Sequence, residues 1–167
     1  MDNVRKLENK FFKEIEFHIK KAFPNINGNL VPSTSEEDSK LSFDAKINNK
    51  QFSIRIRKNN YLKYLDLTIR SRSKKNGRTE IDKIKDGLAE IYFYSYMNEN
   101  QDCLQKVRIV DVNAIRKLTN KNKFTIKKNV DGTEFNAYKF SDIKKENGNI
   151  YKYDKTRGIA CIDNTKI

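Results

Sequence analysis

Apolar residues recur at Val4, Leu7, Phe11, Phe12, Ile15, Ile19 and Ala22. Steps of three and four place them on one face of a helix, and Pro24 stands just past the stripe to end it. Residues 24–40 read as a loop by composition. The period then changes to two. In "KLSFDAKI", Leu41, Phe43, Ala45 and Ile47 alternate with Ser42, Asp44 and Lys46. In "QFSIRIR", Phe52, Ile54 and Ile56 alternate with Ser53, Arg55 and Arg57. In "YLDLTIRSR", Leu65, Leu67 and Ile69 oppose Asp66, Thr68, Arg70 and Arg72. Period two belongs to strands with one buried face. The short "NNK" between the first two runs predicts a hairpin. The expectation is three consecutive antiparallel strands, apolar side on the first helix and polar side outward.

Thr79 opens a second helix, with Asp82 three residues on in the manner of a capping box. Ile81, Ile84 and Leu88 supply its stripe, and Gly87 helps to stop it. "AEIYFYSYM" and "LQKVRIVDV" read as strands. Asp111 is placed to cap a short helix carrying Val112, Ile115 and Leu118. Beyond Asn120 the pattern is more basic and more broken, with turn signals at Asp131-Gly132 and Asn147-Gly148. The chain therefore reads as an α+β protein: a helix–three antiparallel strands–helix–strand core over residues 1–120, and a basic, hairpin-rich appendage over residues 121–167.

Charge narrows the class of partner. Thirty-five Lys and Arg against 22 Asp and Glu leave a net charge of +13. Such an excess attracts a polyanion: nucleic acid, DNA or RNA, or a nucleoprotein, with an acidic protein as the alternative. A membrane surface is not expected, because the cations are not gathered on one amphipathic helix. The N-terminal stretch carries charges throughout, which predicts no secretion signal, and no apolar run is long enough to span a bilayer. Cys103 and Cys161 are far apart, and His18 is the sole histidine, so a zinc site is not expected. His18 itself reads as a residue on the flank of the first helix. A reduced, cytoplasmic protein follows from this cysteine usage. The abundance of Lys, Asn and Ile points to an A/T-rich genome, of a low-GC bacterium or its phage.

If the three strands pair in chain order, Asp44, Arg55, Arg57, Asp66, Thr68, Arg70 and Arg72 share one face. Two carboxylates, Asp44 and Asp66, suit Mg²⁺ or Mn²⁺, which take oxygen ligands, polarise a phosphoryl oxygen and activate water. Arginine suits the phosphate itself, since its planar fork bonds two oxygens at once. Glu80 and Lys83 lie one turn apart on the second helix, where they can turn back toward that face. The loop of residues 71–78 brings Lys74, Lys75 and Arg78 to a helix N-terminus, a setting that favours phosphate. The bland alternative makes Asp44 and Asp66 cross-strand ion-pair partners of the arginines.

This order of elements, with "FDAKI", "QFSIRIR" and "TEIDKIKDG" in their places, resembles the core of the PD-(D/E)XK nuclease superfamily over roughly residues 4–112. The resemblance implies a metal-dependent nuclease whose site joins a helix acid, a strand Asp and an acid-x-Lys on the next strand. Asp44 matches the Asp, and Glu14 or Glu16 the helix acid. The acid-x-Lys is missing: "SIRIR" puts Arg55 and Arg57 where acid and lysine are expected. Either the acid has moved to Asp66 or Glu80, with Lys83 as the cation, or the fold is kept without cutting. The second case describes a phage accessory or anti-defence factor that grips nucleic acid or a nucleoprotein. A basic protein-binding module is the third reading.

Overall fold

The computed structural model describes residues 2–34, 44–73, 78–88, 90–155 and 159–162. The first helix, α1 (Asp2–Ala22), runs as its stripe predicts and ends with basic residues, Lys20 and Lys21, in its last turn. These cations complement the negative end of the helix dipole. Phe11, Ile15, Ile19 and Ala22 are buried. His18 is buried too, with 2% of its surface exposed, so it is not the flank residue that the sequence suggested. Its Nδ1 lies 3.0 Å from the Tyr151 hydroxyl. Tyr151 and Tyr153, which reach its ring, come from a strand far along the chain.

The strands follow as β1 (Val31–Pro32), β2 (Ala45–Ile47), β3 (Lys50–Arg57), β4 (Asp66–Arg72), β5 (Ile91–Met97), β6 (Leu104–Asp111), β7 (Thr125–Lys128), β8 (Glu134–Lys139), β9 (Asn149–Asp154) and β10 (Ile159–Ile162). Three further helices are α2 (Glu80–Lys85), α3 (Val112–Asn120) and α4 (Phe140–Lys145). A 3₁₀ helix over Asn59–Tyr64 joins β3 to β4. The capping box at Thr79 and Asp82 is present. The Asp111 side chain accepts from Asn113 N at 2.8 Å, capping α3 as expected.

The protein is α+β, with seven strands in one mixed sheet and three in another. The large sheet runs β1-β2-β3-β5-β6-β9-β10, and the small one β4-β8-β7. The β2–β3 hairpin forms, with Ala45 opposite Phe52. The third strand of the expected sheet does not join it. β4 leaves to pair antiparallel with β8, and β3 pairs in parallel with β5. Parallel neighbours require a crossover of a dozen or more residues, and the 3₁₀ helix, β4 and α2 are that crossover. Period two says which side chains share a face of a strand; it does not say which strand lies alongside.

The segment after Asn120 is not an appendage. β8 completes the sheet of β4, and β9 lies beside β6 in the large sheet. The Asn147-Gly148 turn joins α4 to β9 and is not a hairpin. Gly148 is packed so closely that an added Cβ would lie 2.3 Å from Ala114 Cβ.

Two apolar clusters result. Phe52, Ile54, Phe93, Val107, Ile109 and Tyr151 pack under α1 on one face of the large sheet. On the other face, Tyr92, Tyr94, Tyr96 and Val110 pack with Leu67 and Ile69 of β4, Ile81 and Ile84 of α2, Ile115 and Leu118 of α3, and Tyr138. The molecule is thus layered: α1, the large sheet, then the small sheet with α2, α3 and α4. No helix among the described residues is long and apolar enough to cross a membrane.

Candidate nucleic-acid interface

The polar row of β3 faces the second layer and not water. Ser53, Arg55 and Arg57 stand in register with Tyr92, Tyr94 and Tyr96 of β5. Arg55 forms an ion pair with Glu80 at the start of α2. The same carboxylate accepts from the backbone N of Arg70 at 3.2 Å and from the Tyr92 hydroxyl at 3.4 Å. Burial disfavours the charge on Arg55, but Glu80 and the neighbouring tyrosines outweigh it and hold the guanidinium protonated. Burial, then the negative charge of Glu80, pushes the Tyr92 hydroxyl well above the ordinary tyrosine range.

Asp44 lies at this end of the tyrosine row. It accepts from Ile54 N at 2.5 Å, and its charge also acts on Tyr92. Asp66 lies at the other end. Its backbone oxygen accepts from the Tyr96 hydroxyl at 2.8 Å, and its carboxylate pairs with Lys127 of β7. Tyr96 stands four steps along the strand from Tyr92, about 13 Å at strand rise. The structure therefore brings Asp44 near Glu80 and sets Asp66 apart from both. Lys83 is half-buried on α2. Glu14 turns toward the end of the large sheet, where it accepts from Leu104 N at 3.0 Å, and Glu16 pairs with Lys20.

The fit to Mg²⁺ follows from these partners. Glu80 already accepts from three donors, and the Arg55 guanidinium sits where a cation would bind it. A metal ion there would have to displace Arg55, and Asp44 already accepts from Ile54 N. Among the described residues no three His, Cys, Asp or Glu side chains gather as a metal-binding group.

The exposed cations lie elsewhere. β4, β8 and β7 align Arg72, Glu134 and Lys128 in one cross-strand row. Glu134 accepts from Lys128 at 3.2 Å and lies 3.6 Å from Arg72, while both cations stay largely in water. Arg70 is exposed on the same small sheet, in register with Phe135 and, beyond it, Lys127. Arg78 pairs with Asp86 across α2. Lys74 and Lys75 lie outside the described residues.

The 3₁₀ helix holds a feature that the alternation did not reveal. Tyr61, Tyr64 and Leu65, within five residues of chain, are 39%, 51% and 54% exposed. The Arg57 guanidinium carbon sits 4.1 Å from the centre of the Tyr61 ring, and Lys127 Nζ sits 4.3 Å from that of Tyr64. Arg57 Nε is buried and has no hydrogen-bond partner among the described residues. The signal in the chain is "KNNYLKYL", two tyrosines three apart with Lys63 between them and Lys58 ahead. It has neither the strand period nor a helix stripe, so pattern reading passes over it. Comparison with protein-family models, with curated proteins and with solved structures finds no match for this chain.

Proposed function

We propose that this protein binds nucleic acid by gripping the phosphate backbone with the exposed cations of its small sheet. One observation carries the reading. In the Arg72–Glu134–Lys128 row two solvent-facing cations share a single carboxylate, so the row keeps a net positive charge in a chain of net charge +13. Neutralised phosphates release counterions, so the affinity should fall linearly on a logarithmic scale with salt. Fluorescence anisotropy with labelled DNA and RNA over a salt series measures this. Replacing Arg72 and Lys128 with Gln should weaken binding and flatten the salt slope by about two counterions. Absence of binding to every nucleic acid at low salt would sink the reading and favour an acidic protein partner.

A second reading, Mg²⁺- or Mn²⁺-dependent cleavage by a nuclease-like core, is favoured by one arrangement. Asp44, just before β2, and Glu80, at the start of α2, both act on the Tyr92 hydroxyl. Cleavage would need Arg55 to swing away from Glu80 on loading. Incubation of duplex, single-stranded and branched substrates with either metal tests it. Under this reading Asp44→Asn abolishes cutting and leaves binding intact. A parent protein that binds and never cuts retires it.

A further inference from the structure

We infer that the 3₁₀ helix between β3 and β4 is a stacking platform for unpaired bases, so that the nucleic acid bound is single-stranded. The inference rests on the nucleic-acid reading above and specifies its substrate. Residues three apart eclipse one another on a 3₁₀ helix, at a rise of about 6 Å. Tyr61 and Tyr64 therefore project from the same side. Each ring has cations against it, Arg57 for Tyr61 and both Lys127 and Lys63 for Tyr64, and each remains exposed. An exposed aromatic ring beside cations is the arrangement that holds a base and its phosphate together.

Spacing selects the single strand. Bases stacked in a duplex are about 3.4 Å apart, so two rings about 6 Å apart along the helix meet two bases only after these have separated. Duplex bases offer edges in the grooves and not faces, so the platform has nothing to stack on there. The cations point the same way. Among the described residues Arg57 has no carboxylate partner, and its buried Nε has no acceptor. Leu65 extends the patch with its backbone in the left-handed region at φ 48°, a conformation rare for a bulky residue and found where function holds strain in place.

The test compares a 20-nucleotide oligo-dT, an oligo-U of the same length and a 20-base-pair duplex, by anisotropy at one salt concentration. The parent should bind the single strands more tightly than the duplex. Replacing Tyr61 and Tyr64 together with Ala should weaken single-strand binding at least tenfold, since each stacked base is worth about 5- to 150-fold. Its salt slope should stay as in the parent, because no phosphate contact is removed. Duplex affinity should not change, and the Phe double variant should bind like the parent. Both side chains are exposed, so thermal melting should show the fold retained. An Ala variant that binds single strands like the parent overturns the platform while leaving backbone binding in place. So does displacement of oligo-dT by polyglutamate of equal charge, which has no bases. A parent that binds no nucleic acid overturns both readings together.

Discussion

Arg55 looks the same in the sequence as Arg72, yet the two do opposite jobs. Arg72 faces water, while Arg55 is held between the layers by Glu80. Removing one member of a buried ion pair strands the other, at several kcal/mol when burial is complete. Here both side chains keep some solvent contact, so Arg55→Ala should cost about 2 kcal/mol. Urea denaturation measures that loss, and oligonucleotide affinity at fixed salt should hold. Weaker binding at unchanged stability would make Arg55 a phosphate contact instead. His18 behaves as a buried base. Burial lowers its pKa from 6.5 to about 4, so the folded protein resists protonation while the unfolded chain accepts it. The stabilisation is whole above pH 6.5 and drains away as the pH falls toward 4, to a loss of up to about 3 kcal/mol. His18→Gln, uncharged throughout, should flatten that part of the stability profile measured by denaturant melts.

At the scale of elements, strong local signals held and pairing did not. The stripe of α1, the capping box at Thr79, the Asp111 cap and the β2–β3 hairpin are all short-range chemistry, and each appears where the pattern put it. The partner of β4 is Ala137 and its neighbours, about 70 residues away, and nothing in "DLTIR" names them. The candidate site depended on that missing information. Asp44 and Asp66 share a face only if β3 and β4 are neighbours, and the parallel crossover separates them. The 3₁₀ helix was illegible for another reason: six residues without an apolar stripe or alternation look like a loop. The residue that caps its C-terminus, Leu65, sits at φ 48° while exposing a large apolar side chain. A left-handed conformation costs a branched residue about 1–2 kcal/mol, and Asn tolerates it better. Leu65→Asn should therefore leave the melting temperature equal or raise it by a few degrees, by up to about 1 kcal/mol. Single-strand affinity should drop if Leu65 meets a base. A markedly lower melting temperature would show that the leucine packs against something that its exposure conceals.

The whole molecule is stitched from both halves of the chain. β9 lies between β6 and β10, and its Tyr151 closes the cluster under α1 against His18. β8 gives β4 its first neighbour and brings Tyr138 into the second cluster, where its hydroxyl meets Thr119 at 2.8 Å. α4 adds Ile143 beneath Gly148. A chain cut after Asn120 loses all of this. β6 becomes a bare edge, and β4 has no strand to pair with, so rows of backbone N–H and C=O groups lose their partners. Tyr138, Ile143 and Tyr151 are fully buried, and each large side chain contributes about 1.5–3 kcal/mol by burial. Their sum is comparable with the whole stability of an ordinary domain, about 5–15 kcal/mol. A fragment of residues 1–120 should therefore fail to fold cooperatively, with a broad, featureless thermal transition by circular dichroism and rapid cleavage by proteases. Adding the missing segment in trans should restore protection only at high concentration, because joining separate chains forfeits their effective concentration within one molecule. A sharp, reversible melt of the 1–120 fragment alone would mean that the two sheets stand without their C-terminal strands, and the chain would then be a core with a tail after all.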